Sequence, residues 1–193
     1  MTPKQSIALD PARVPALQSA YSAIEPLYKH LTFVSATLGK MRTDEADLRQ
    51  KIVQLEESTS YNNEEASLSL KGKIAQLELL QRQAAKLLAD IPDKSAELAR
   101  HLDSLNGLIP HATLPECDKL AKRIAKSLKP VFGSSSPHLE AVVKLAPEYL
   151  GFIGFFQRRW FNDGENIENR AAQALPVLAA LIAGENPWTF ATE

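Results

Sequence analysis

The side chains with the strongest intrinsic chemistry in this chain are one cysteine and four histidines. Cys117 follows Pro115 and Glu116 in what reads as the first turn of a helix. A helix N-terminus lowers a thiol pKa and favours the nucleophilic thiolate. Glu116 and Asp118 flank it and act the other way, because a neighbouring negative charge disfavours a second one. A structural thiol is therefore expected. His30, His101, His111 and His138 never stand three or four residues apart. None shares a helical face with a cysteine or carboxylate at the spacing a zinc site needs. Asp44, Glu45 and Asp47 lie on a predicted exposed helix, where carboxylates titrate normally and make poor general acids or bases. Gly151 and Gly154 lack the lysine and strand-to-helix setting of a phosphate loop, and Ser134 to Ser136 lack the glycines of a nucleophile elbow. The expectation is a protein that is not an enzyme, with no cofactor and no metal.

Two groups of residues instead have the composition of contact surfaces. Lys119, Lys122, Arg123, Lys126 and Lys129 follow one another at steps of three and four, with Leu120, Ile124 and Leu128 on the opposite side of the same helix. Between Pro115 and Pro130 there are five cations against two carboxylates, a net of +3. Such a face can hold the phosphates of nucleic acid or of anionic lipid, although no aromatic side chain is interleaved for base stacking. The second group is Tyr149, Phe152, Phe155, Phe156, Arg158, Arg159, Trp160 and Phe161, a segment apolar nearly all round. A helix of that kind is buried centrally or shared with a partner, and Trp, Tyr, Phe and Arg are the residues that anchor interfaces. Trp188 extends this candidate partner surface beyond Pro187.

The elements that must carry these groups are helical. Leu27, Leu31, Val34, Leu38, Met41, Glu45, Leu48, Ile52 and Leu55 alternate steps of four and three, and only Glu45 interrupts the apolar series. That 3.5-residue repeat keeps one seam against a partner helix, over roughly 45 Å at ~1.5 Å per residue. A polar break at 56–65 follows, with Asn62 and Glu65 spaced as a helix start. A second heptad then runs through Leu70, Ile74, Leu77, Gln81, Ala84, Leu88 and Ile91, and its phase continues through Ser95, Leu98, Leu102, Leu105 and Ile109. Two heptad helices joined by a short break are most simply an antiparallel hairpin.

Proline and glycine place the expected boundaries. Pro26 should separate a short helix over 15–23 from the first long one or kink it away, and Pro92 should kink or end the second. Gly107 reads as a helix stop, with Pro110 and Pro115 marking a connection. Thr113 with Glu116 has the capping-box spacing that opens a new helix. Further helices are expected from Pro137 to about Phe161, kinked at Pro147, and from Ile167 to Ala183, bent at Pro176 and closed by Gly184. The fold class expected is all-α: a short helix and long coiled-coil-like hairpin over 1–109, and a compact C-terminal helical bundle over 110–193.

Composition narrows the function classes. The 193 residues carry 22 basic and 23 acidic side chains, a net of -1, so a general polyanion binder is disfavoured and any nucleic-acid role rests on the local basic face. A single cysteine excludes an internal disulfide and fits a reducing compartment. The longest apolar-rich stretch, Ala171 to Gly184, falls short of the ~20 residues a membrane span needs. Residues 42–65 carry seven acidic and three basic side chains, a poor grip for nucleic acid. Phe33, Val53, Leu79 and Leu80 stand beside the seams and need cover. The expectation is a cytoplasmic assembly or adaptor protein that binds protein partners and forms a homo-oligomer, its hairpin a rigid arm and its bundle a docking head. The alternative is a nucleic-acid-binding accessory subunit using the helix at 119–129.

Overall fold

The structure is a computed structural model that describes residues 6–58, 64–132 and 166–187. Three helices make up nearly all of it: α1, Val14–Ser58, α2, Glu64–Phe132, and α3, Ile167–Ile182. Among the described residues there is no strand, only one antiparallel bridge between Ser6 and Glu185. The fold is all-α, as the heptads predict, and the interval between α1 and α2 falls inside the polar break expected at 56–65.

The helices are longer than proline placement suggests. α1 runs without interruption through Pro26, and α2 through Pro92, Gly107, Pro110 and Pro115. The expected separate helix at 15–23, the end of a helix at Pro92 and the connection at 107–115 are replaced by continuous helix. Each interior proline removes one N–H and presses on the carbonyl four residues back. Pro26 and Pro92 are exposed, as are Ser22 and Leu88, whose carbonyls lose their helical donor, so water can hydrate those carbonyls. The apolar stripe meanwhile keeps its phase across the prolines. Leu98, Leu102, Leu105, Ile109 and Ala112 of α2 are all buried, and their burial holds the helix together where local propensity would end it. α3 likewise continues through the exposed Pro176.

The chain packs as two compact units, one comprising 1–28 with 97–193 and the other 29–96. In the first, the core is built from Ile7, Leu17, Ile24, Leu27, the α2 residues just named, and Ala171, Ala174, Leu178 and Leu181 of α3. The α3 positions step by three, four and three, one face of a helix. The Asn166 side chain accepts from the Glu168 N–H at 3.1 Å to start α3. Gly184 ends it with φ 71°, a left-handed conformation that suits glycine. Gly184 N–H donates to Leu181 at 2.9 Å and Glu185 N–H to Ala180 at 2.8 Å, closing a Schellman turn.

The N-terminal segment before α1 is tied to the same unit by backbone. Ile7 N–H donates to the Gly184 carbonyl at 3.1 Å, and Asp10 N–H to the Ala112 carbonyl at 2.9 Å. Asp10 then accepts from Ala12 N–H through its side chain and from Arg13 N–H through its carbonyl, turning the chain at Pro11 into α1.

In the second unit α1 and α2 lie antiparallel. His30 meets Asp90 at 2.7 Å, and Glu45 accepts from Gln81 Nε2 at 3.0 Å, so residues advancing along α1 meet residues receding along α2. Leu31, Val34 and Leu38 are buried, and Met41, Glu45, Leu48, Ile52 and Leu55 continue the row half-buried. The first heptad is therefore the seam. The second is half right. Its row Leu70, Leu77, Ala84, Ile91 is half-buried, but Ile74, Gln81 and Leu88 are exposed, and the companion row is Lys73, Leu80, Leu87 and Lys94. Past Leu98 the companion row moves to Leu102 and Ile109, as the heptad predicts. A straight α-helix drifts ~20° per seven residues, so a stripe that keeps one seven-spaced row changes its companion from the +3 to the +4 side.

Candidate partner and anion surfaces

The basic face forms on the C-terminal part of α2. Lys119, Lys122, Arg123 and Lys126 are all exposed, and at ~100° per residue they fall within about a third of the helix circumference. With Pro115 and Asp118 they line an open groove of roughly 540 Å³. The backbone of Lys129 continues the helix, and its side chain lies outside the described residues. The four described cations are not equivalent. Lys119 Nζ lies 3.3 Å from Glu116 Oε2, so part of its charge is answered within the helix. Asp118 adds a carboxylate to the groove wall, leaving four cations against one carboxylate there, a net of +3.

Glu116 has a different job from the cap assigned to it. Its carboxylate is buried and accepts from Ala8 N–H at 2.9 Å, across 108 residues of sequence. Thr113 does not cap either. Its buried hydroxyl donates to the Ile109 carbonyl at 2.9 Å and reaches Pro110's at 3.2 Å, both within the preceding turn. Because α2 does not begin here, there are no orphan N–H groups for the pair to satisfy. Glu116 instead tethers the N-terminal segment, a role with no local spacing signature in the sequence.

Cys117 is buried, only 5% exposed. Burial, foremost, and then the charges of Asp118 and Glu116 push its thiol above the usual range. The two neighbours act as the sequence suggested. The dipole argument lapses because Cys117 lies deep inside α2, far from its N-terminus.

The hairpin unit carries the other surface. Phe33 is 67% exposed, and Val53 and Leu79 are also exposed, whereas Leu80 belongs to the seam. Leu68, Ile74 and Leu88 are exposed as well. Leu68, Gly72, Ala75 and Leu79 are all exposed and step by four, three and four. They form a second apolar stripe on the side of α2 away from the seam. Nothing stands within 4 Å of where a side chain on Gly72 would begin. The stripe's four-three-four spacing is a helical repeat present in the sequence.

Glu45 and Gln81, the polar members of the two heptads, meet across the hairpin. Glu45 also accepts from Arg49 at 2.7 Å. The Gln81 hydrogen bond first, and Arg49 next, hold the Glu45 carboxyl below its ordinary pKa. His30 is paired with Asp90, in keeping with a histidine that belongs to no site. Among the described residues no group of three or more histidine, cysteine, aspartate or glutamate side chains is placed to hold a metal ion. No helix among them is long and apolar enough to cross a membrane. The aromatic segment from Tyr149 to Phe161 and Trp188 lie outside the described residues. Comparison with known proteins leaves these surfaces to speak for themselves: no protein-family model, characterised protein or solved structure matches the chain.

Proposed function

We propose that the protein is a non-enzymatic assembly or adaptor component that acts through helical protein–protein contacts, including contacts between its own copies. The observation that carries this reading is the outward stripe Leu68, Gly72, Ala75 and Leu79. One stripe of α2 is satisfied by α1, and the second faces water with Leu68 and Leu79 65% and 57% exposed. A helix with two apolar stripes gains by meeting a second helix, and small residues between leucines let that helix come close. The aromatic residues at 149–161 and Trp188 supply a further partner surface in this reading. The setting we propose is the cytoplasm, where a lone, buried Cys117 remains a thiol.

Pyrene attached to a cysteine at position 79, in a Cys117→Ala chain, tests the stripe. Excimer emission that rises with protein concentration and disappears with Leu68→Glu is expected. Monomer emission at every concentration would count against the reading.

A second reading, a nucleic-acid accessory subunit, draws on the clustered exposure of Lys122, Arg123 and Lys126. It predicts an affinity that falls steeply as salt rises, with a slope set by the number of phosphates neutralised. Unchanged oligonucleotide binding after Lys122→Glu with Lys126→Glu would remove it.

A further inference from the structure

We propose that the acidic end of the hairpin docks on the basic face of α2 of a second copy of this chain. The inference rests on the reading of the protein as an assembly component and supplies that assembly with a polar contact beside the apolar stripe. The two surfaces are opposite in charge. Glu56 and Glu57 lie exposed in the last turn of α1, and Glu65 lies exposed in the first turn of α2. The face that would receive them is the groove wall carrying the exposed Lys122 and Lys126, with Lys119 partly held by Glu116.

The placement of Glu56 and Glu57 is locally unfavourable. A helix C-terminus carries partial negative charge, which cations relieve and carboxylates aggravate. The last turn of α1 has no basic residue. Adjacent carboxylates at that position stabilise nothing within their own helix, and a cationic surface from outside offsets them. The receiving face suits carboxylates better than a polyanion. No aromatic is interleaved for stacking, and the chain's net charge of -1 gives no long-range attraction for nucleic acid. The contact joins different patches on the two copies, so it propagates head to tail, closing into rings or growing as open chains.

Sedimentation velocity of the full chain at two ionic strengths provides the test. At about 0.01 M, charges act over roughly 30 Å, and at about 1 M over roughly 3 Å. The wild type is expected to sediment as a larger species at the low ionic strength than at the high one. Glu56→Lys with Glu57→Lys, and separately Lys122→Glu with Lys126→Glu, should each abolish that difference, while an equimolar mixture of the two variants restores it. All four positions are exposed, and equal circular dichroism of both variants checks the fold. If the wild type associates equally at both ionic strengths and the variants match it, this contact is wrong and the assembly reading stands. If the wild type is a monomer throughout, both fall. Retention of an oligonucleotide by the wild type at physiological salt, lost in Lys122→Glu with Lys126→Glu, would assign the face to nucleic acid and overturn the docking of a second copy.

Discussion

Glu45 shows how a polar interruption becomes a structural feature. It breaks the apolar series of α1, and its carboxylate is answered across the hairpin by Gln81. That bond favours the ionised form and lowers the Glu45 pKa. The stabilisation is therefore present at pH above the usual carboxylate range and is lost as pH falls through the lowered value. Gln81→Ala should raise the Glu45 pKa, as read by NMR titration of its carboxyl. The stability gap between the two proteins should close on acidification, and a gap that persists would show that Gln81 acts by other means. Buried and exposed leucines give a sharper contrast. Leu98→Ala should cost about 2–5 kcal/mol and Leu79→Ala less than about 0.5 kcal/mol in chemical denaturation. At this scale the first seam was fully legible, because only one 3.5-residue row of α1 is apolar. The second was not. Leu79 and Leu80, and Leu87 and Leu88, are adjacent pairs, so the rows through Ile74 and Leu88 or through Leu80 and Leu87 look equally apolar. Only the partner helix decides between them.

The boundaries of the elements were harder to read than their type. Glycine and proline mark breaks only when nothing stronger holds the helix, and in α2 the apolar stripe, half-buried through Ile91 and buried from Leu98 on, runs past Pro92, Gly107, Pro110 and Pro115. The signal was present: the heptad phase continues through Leu98, Leu102 and Leu105, and Pro92 stands outside the stripe, on the solvent side. If Pro92 is simply tolerated in a continuous helix, Pro92→Ala restores one hydrogen bond and removes a clash. It should raise stability by up to about 3 kcal/mol in thermal or chemical unfolding. A loss of stability would mean that the proline shapes the helix in a way the continuous geometry does not include. The Thr113–Glu116 pair teaches the same lesson from the other side. Its spacing is that of a cap, but a cap needs a helix end, and the tether from Glu116 to Ala8 joins residues that no local pattern connects.

For the whole molecule, the all-α hairpin followed from periodicity alone, since two 3.5-residue repeats separated by a polar break have few other solutions. The packing of the chain's start with α3 and the later part of α2 did not, because it depends on long-range contacts such as Ile7 with Gly184 and Asp10 with Ala112. The functional account depends on the outward stripe of α2 being a meeting surface for another copy. Multi-angle light scattering across a range of protein concentrations tests that most directly. The account predicts a mass that rises above the 21.2 kDa of one chain and, at about 1 M ionic strength, where charge contacts are screened, falls back to it when Leu68 and Leu79 are both replaced by glutamate. A wild-type mass of one chain at every concentration and salt condition would contradict it.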